Sequence, residues 1–217
     1  MFLISDIKAE AKVAFQAQRK TAIFIMLVNI GIGILIGFID LARGELFLPL
    51  RWVVWLFLSF VSHAMAVNTV GEHNKIARGE SGQVSALFSL SGFWRKSLTM
   101  WLTNLLIGLW TLLLIVPGII KTHAYWFTYN LLADYPHVKG LAAIDLSKRM
   151  TQGYKMKIFL FHLSFIGWLL LSVFTLGILW VVFVGPYTQL ANAKLYLLCK
   201  ERALEEGVIT LDELEGY

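Results

Sequence analysis

Apolar stretches about as long as a bilayer is thick recur along this chain, at residues 21–39, 46–67, 98–116, 158–174 and 176–198. A transmembrane helix needs about 20 mostly apolar residues. Of the 217 residues, 58% are hydrophobic and 15% are charged, against about 45–50% and roughly 25% in average globular domains. A soluble fold this apolar would lack the polar surface that keeps it in solution. The pattern therefore indicates a single-domain integral membrane protein.

The basic residues lie between the apolar stretches, and the net charge is +5. This spacing is typical of the positive-inside rule for membrane proteins and does not favour nucleic-acid binding. Cys199 is the only cysteine, so the sequence predicts no internal disulfide, metal site or cofactor. The first apolar stretch is too long for a signal-peptide core, and we interpret it as a retained span.

Three regions follow from this pattern: an N-terminal interfacial helix at 1–20, a transmembrane domain at 21–199 and a cytoplasmic tail at 200–217. At residues 4–20 one helical face carries only apolar side chains, which are Ile7, Ala11, Ala14 and Phe15. Such a helix can lie flat on anionic lipid; a solvated lead-in to the first span is the alternative. Residues 40–45 form a predicted polar turn, and residues 175–177 are the predicted turn between the last two spans. Gly207 is suited to end a short helix in the tail.

Residues 119–134 decide the number of spans. If they cross the membrane, the chain has six spans, and most of the 19 basic residues lie on the side of both termini. The positive-inside rule favours this arrangement, with Pro117-Gly118 as a tight turn between two helices. However, a helix of that length spans about 24 Å, against a hydrocarbon core of about 30 Å. Five spans with a kinked or re-entrant third is the alternative.

A second amphipathic segment is predicted at residues 138–154, with Ala143, Leu146, Met150 and Tyr154 on its apolar side. On the cytoplasmic face, nearby basic side chains would meet anionic lipid. The candidate lipid contacts are Lys148, Arg149 and Lys155.

Polar side chains also lie inside the predicted spans, where they usually have a partner or a function. His123, Asn130 and Asp134 would share one stripe of span four, with Lys121 roughly opposite. In span six, Pro186 would free a backbone carbonyl one turn earlier, as in the interrupted helices of transporters. The candidate intramembrane polar site is Lys121, His123, Asn130, Asp134, Gln189 and Asn192. Hydrogen bonding between helices, with Lys121 and Asp134 reaching opposite interfaces, is the alternative.

Catalytic motifs are absent from the sequence. It contains no HExxH, no phosphate-binding loop and no GxSxG, and "GEHNK" at 71–75 has the wrong spacing for zinc. A pairing of Ser164 with His123 stays open, but nothing in the sequence orients it. The sequence therefore does not favour an enzyme.

The second half of the chain resembles a family of uncharacterised integral membrane proteins, found mainly in Gram-positive bacteria and catalogued as domain of unknown function nine-seven-five. The residues that carry the resemblance include Pro117-Gly118, Tyr125, Asp134, Pro136, Ser147, Lys155, the run "LSFIGW" at 163–168, Pro186-Tyr187 and Tyr196. More distantly, the architecture is similar to the membrane domain of some bacterial glycerophosphodiester phosphodiesterases. The stretch "TLGILWVVFVGPY" departs from the family's usual second glycine. The resemblance implies a bacterial plasma-membrane protein and supplies no known reaction or substrate.

We therefore expect an all-α, polytopic bundle of six transmembrane helices with interfacial amphipathic helices and cytoplasmic termini. The expected function is that of a non-enzymatic accessory or regulatory subunit that acts through a membrane partner or lipid. The alternative is a small-solute or lipid transporter with a polar cavity lined by spans four and six. Expected partners are the bilayer, anionic lipid, and a membrane protein or a second copy of the chain.

Overall fold

A computed structural model describes residues 3–42 and 48–215, and within these ranges the fold consists of helices without strands. The α-helices are α1 (Ile4–Ala17), α2 (Arg19–Ala42), α3 (Leu48–Ala77), α4 (Phe93–Leu113), α5 (Ile115–Ala124), α6 (Thr128–Asp134), α7 (Gly140–Met150), α8 (Lys155–Leu163), α9 (Ile166–Phe174), α10 (Gly185–Glu205) and α11 (Leu211–Glu215). A 3₁₀ turn at Val84–Phe88 and a π-helical turn at Trp180–Val184 complete the described elements. The all-α prediction is confirmed; the predicted polar turn at 40–45 lies largely outside the described residues.

Among the described residues, three helical segments are long and apolar enough to cross a membrane: Arg19–Ala42, Pro49–Ala77 and Lys155–Phe174, the last of which comprises α8 and α9. Their most apolar windows are only 11%, 17% and 22% buried by the rest of the protein, which is consistent with a membrane location. This is three candidate spans rather than six, so the six-span count is not confirmed. The other predicted spans are shorter, broken or richer in polar side chains.

The chain turns back at Leu114, three residues before the predicted turn at Pro117-Gly118. Leu114 is extended, with φ −158° and ψ 133°, and it separates α4 from α5. Pro117 lies in the first turn of α5, where its missing N–H has no intrahelical partner to lose. Lys121 of α5 reaches back over the Trp110 ring of α4 at 4.5 Å. The two helices therefore form an antiparallel hairpin.

The sequence predicted a single helix over residues 119–134, but the structure interrupts it. The helical pattern stops at Ala124 and resumes at Thr128. The Ser147 hydroxyl of α7 accepts a hydrogen bond from the Phe127 N–H at 3.1 Å and donates one to the Ala124 carbonyl at 3.0 Å. Because backbone groups freed by a break must find partners, Ser147 stabilises the interruption.

Both terminal regions pack against the body of the protein. On α1, Ile7, Ala11 and Phe15 are buried as the periodicity predicted, and α1 packs mainly against α10. In the tail, Ile209 and Leu214 join the same core. The predicted lipid-facing side of α1 is therefore covered by protein, whereas its position at a membrane interface stays a prediction.

The last long helix differs from the predicted span six in its limits. It continues as α10 to Glu205, so the short tail helix that we predicted is the end of α10. Gly207, with φ +67°, follows it, and the Val208 N–H caps the Ala203 carbonyl at 2.8 Å, as the glycine suggested. Upstream, the predicted turn at 175–177 is confirmed, since Leu176 and Gly177 both have positive φ.

We predict that Gly118→Ala destabilises the α4–α5 hairpin by about 1–3 kcal/mol, because the added methyl group would overpack it. A Cβ at Gly118 would lie 2.8 Å from the Cα of Thr111, whereas a Cβ at Gly108 of α4 would meet nothing within 4 Å. Gly108→Ala is therefore the control and should leave stability unchanged or raise it slightly. Thermal unfolding in detergent measures both; equal midpoints would contradict the close approach.

The six-span topology predicts opposite labelling of two exposed positions. Lys148→Cys on α7 should react only with reagent inside the cell, and Leu176→Cys, at a site 93% exposed, only with impermeant reagent outside. Cys199 is buried, so unmodified protein supplies the background. Labelling of Lys148→Cys from outside intact cells, with protection of Leu176→Cys, would favour the five-span alternative.

Candidate functional site

A cavity of about 480 Å³ lies between α2, α3, α4, α6 and α10. Its polar lining consists of amides, hydroxyls and one imidazole, including Asn29, Thr69, His73, Asn104, Asn130 and Gln189. Tyr125, Trp126 and Tyr129 supply an aromatic wall. Ligand cavities commonly combine such apolar walls with a few convergent polar groups.

The structure places three of the six predicted intramembrane site residues at this cavity: Asn130, Gln189 and Asn192. Lys121, His123 and Asp134 do not line it. His123, Asn130 and Asp134 were predicted on one stripe of a continuous helix. The break at 125–127 instead leaves His123 on α5, while Asn130 and Asp134 both lie on α6.

Lys121 and His123 lie on α5 among aromatic rings. The Lys121 ammonium lies over the rings of Trp110 and Tyr125, a cation–π arrangement. The His123 imidazole bonds the Ile119 carbonyl at 2.8 Å and stacks on Trp126. Ser164 donates to the Phe161 carbonyl instead of approaching His123, so the structure does not form the serine–histidine pair left open above.

Asp134 belongs to a series of polar side-chain contacts that joins α6 to α3. The Asn130 amide donates to Asn74 Oδ1 at 2.8 Å, and the Asn74 amide donates to Asp134 Oδ1 at 3.1 Å. Arg78 forms an ion pair with Asp134 at 2.8 Å and another with Glu80 at 2.6 Å. This series of contacts runs from the cavity lining to the charged end of α3, so Asp134 is held by side chains of α3.

His73 is a cavity residue that the sequence analysis missed, having considered "GEHNK" only as a zinc motif. Its side chain is 2% exposed, and its Nδ1 lies 2.8 Å from the Thr69 carbonyl. Since a carbonyl only accepts, Nδ1 carries the proton in the neutral ring and Nε2 is left as an acceptor. Nε2 is buried without a hydrogen-bond partner among the described residues. Such an unsatisfied buried atom is uncommon and calls for an explanation.

The candidate lipid contacts have different environments. Lys148 is exposed and Lys155 is half-buried, and their contact with lipid stays a prediction. Arg149 holds the C-terminal helix α11 through Glu213 at 2.6 Å, and it also pairs with Asp145 at 3.1 Å. The hydrogen bond from Arg149, helped by the Thr210 N–H, lowers the pKa of Glu213. Arg149 therefore has an internal structural partner that the sequence did not indicate.

The part of the chain that the structure describes contains no group of three or more His, Cys, Asp or Glu side chains that could hold a metal ion.

Residues 112–203 match the model of a protein family described as a protein of unknown function (DUF975). The match covers α5 to α9, most of α10 and the Ser147 contact with the 125–127 break, and it includes every residue on which the resemblance was based. No curated protein and no solved structure matches the chain significantly. The protein is therefore helical, has helices that could span a membrane, and matches a family of unknown function over residues 112–203. Its bacterial origin and its likeness to glycerophosphodiester phosphodiesterases stay predictions.

We predict that Asp134→Ala lowers the free energy of unfolding by about 1–3 kcal/mol, because it leaves Arg78 and Asn74 without their buried acceptor. The Asp134 side chain is 8% exposed. Asp145→Ala is the control, since that carboxylate is 59% exposed in its pair with Arg149 and exposed pairs contribute about 0–1 kcal/mol. Chemical unfolding in detergent measures both free energies. A larger loss of stability for Asp145→Ala than for Asp134→Ala would contradict the proposed role of the Asp134 contacts.

Proposed function

We propose that this protein is a non-enzymatic membrane protein that binds a small neutral polar solute in the cavity between α3, α6 and α10, as a transporter does. The observation that carries the proposal is a cavity of about 480 Å³ lined by His73, whose buried Nε2 has no hydrogen-bond partner among the described residues. A ligand with a hydroxyl or N–H donor would satisfy this atom. This favours the transporter alternative of the sequence analysis over the accessory role, which stays a prediction.

The charge of the lining supports a neutral ligand. Among the lining residues that the structure describes, none is Asp, Glu, Lys or Arg. An ion would lose its hydration there without meeting an opposite charge, which is costly in a low-dielectric site. Amides such as Asn104 and Gln189 offer both donors and acceptors, so they suit a molecule with several hydroxyl or amide groups.

The aromatic wall adds a shape requirement. Tyr125, Trp126 and Tyr129 line the cavity, and aromatic rings pack well against a flat or apolar ligand face. The proposed solute is therefore small, neutral and amphipathic, with donor groups toward His73 and a less polar face toward Trp126.

Gentle purification followed by intact-complex mass spectrometry tests this proposal. We expect the wild-type protein to retain a neutral small molecule, and His73→Phe to bind it about tenfold more weakly because one buried hydrogen bond is lost. His137→Phe, which makes the same change at an exposed histidine, is the control and should bind normally. Exchange of the identified molecule across proteoliposomes then tests transport.

Two results would contradict the proposal. Equal retention of the small molecule by wild type and His73→Phe would show that His73 does not contribute to binding. A stoichiometric protein partner, with an empty cavity, would instead favour the accessory or regulatory role.

A further inference from the structure

Lys96, in the first turn of α4, is buried, with 8% of its surface exposed. Arg95 precedes it, so two cations lie at the end of a helix where the backbone dipole is already positive. This placement is unfavourable unless negative charge is nearby.

Among the described residues, the hydrogen-bond acceptors of these two cations are neutral oxygen atoms. The Lys96 ammonium donates to Asn68 Oδ1 at 2.6 Å, and the Arg95 guanidinium donates to the carbonyls of Leu132 and Val138. Asn68 is held in this orientation because its amide nitrogen donates to the Leu87 and Ser89 carbonyls. Over residues 3–42 and 48–215, no carboxylate forms an ion pair with Arg95 or Lys96.

Glu72 and Asp134, two carboxylates that line a cavity together with Lys96, already have partners. Glu72 binds the Lys75 ammonium and the Gln83 N–H, each at 2.7 Å. Asp134 binds Arg78 and Asn74. Burial, followed by the charge of Arg95, lowers the pKa of Lys96, which agrees with an ammonium that lacks a counterion.

Lys96 faces a second cavity of about 240 Å³, separate from the solute cavity. It is lined by three cations, Lys75, Arg78 and Lys96, and by two carboxylates, Glu72 and Asp134. The cavity therefore has a net positive lining, and Lys96 is the cation in it without a carboxylate. Phe88 and Trp94, which lie close by in the sequence, are 59% and 72% exposed. Exposed aromatic side chains of this kind are typical of the head-group level of a membrane.

We infer that this second cavity binds a phosphate group, with Lys96 as its buried contact. A phosphate supplies several acceptor oxygens and negative charge together, and both are missing around the Lys96 ammonium. The group would come from the head group of an anionic phospholipid or from free phosphate in solution. Its position at the charge-rich end of α3 and α4 matches the side that the positive-inside pattern assigns to the cytoplasm.

Thermal unfolding of the full chain in a neutral maltoside detergent tests the inference. The probes are short-chain phosphatidylglycerol, diacylglycerol of the same chain length, and inorganic phosphate matched to chloride in ionic strength. We expect phosphatidylglycerol or phosphate, but not diacylglycerol or chloride, to raise the midpoint by several degrees. A response to the lipid alone identifies the head group as the source, and a response to inorganic phosphate alone identifies the free ion.

Two variants at position 96 assign the response to this residue. Lys96→Met should lose it, with apparent affinity at least about tenfold weaker, while its midpoint without ligand equals or exceeds that of wild type because a buried charge is removed. Lys96→Arg keeps the charge and should keep the response, so it decides the question if Lys96→Met does not fold. Lys139→Met, at an exposed lysine outside this cavity, should respond as wild type does.

The inference is overturned if wild type responds to neither phosphate-bearing probe, or if Lys96→Met responds as wild type does. A lower midpoint of Lys96→Met without ligand, with its response unchanged, would show that Lys96 serves only to support Asn68.

Discussion

The rest of this structure depends on the hydrogen bonds that the polar side chains of α3 form with other parts of the protein. Hydrocarbon cannot hydrogen-bond an amide or a carboxylate, so a membrane helix must satisfy such groups within the protein. On α3, Asn74 bonds Asn130 and Asp134 of α6, Asn68 bonds backbone carbonyls at the end of the 3₁₀ turn, and Thr69 donates to Asn29 of α2 at 3.0 Å. These bonds make α3 the element around which α2, α4, α6 and α10 gather.

The interruption between α5 and α6 turns this packing into a site. Because the helix stops at Ala124, Tyr125 and Trp126 can face the cavity while Asn130, one helix later, reaches α3. A continuous helix would have directed these side chains along one fixed spiral. Ser147, which replaces the lost backbone partners, therefore connects α7 to the shape of the cavity without lining it.

Local patterns predicted the features that depend on nearby residues. The buried faces of α1 and α7 follow from helical periodicity, and the turn at 175–177 and the end of α10 at Gly207 follow from glycine chemistry. The break at 125–127 has no such signal, since Tyr-Trp-Phe contains no helix breaker and the bonds that stabilise it come from Ser147. Pro117-Gly118 predicted a turn. However, proline is equally suited to the first turn of a helix, and glycine is equally suited to a close contact between two helices.

By itself, the sequence determined that this protein is helical, apolar enough for a membrane, and polar at Asn130, Gln189 and Asn192. These properties depend on composition and on short-range periodicity. Only the tertiary structure decided that these amides meet at one cavity and that Asp134 pairs with Arg78. It also decided that, among the described residues, His73 Nε2 has no hydrogen-bond partner and Lys96 has no carboxylate partner. The reason is physical: whether a buried polar atom is satisfied depends on groups brought together from distant parts of the chain, and no local pattern records that encounter.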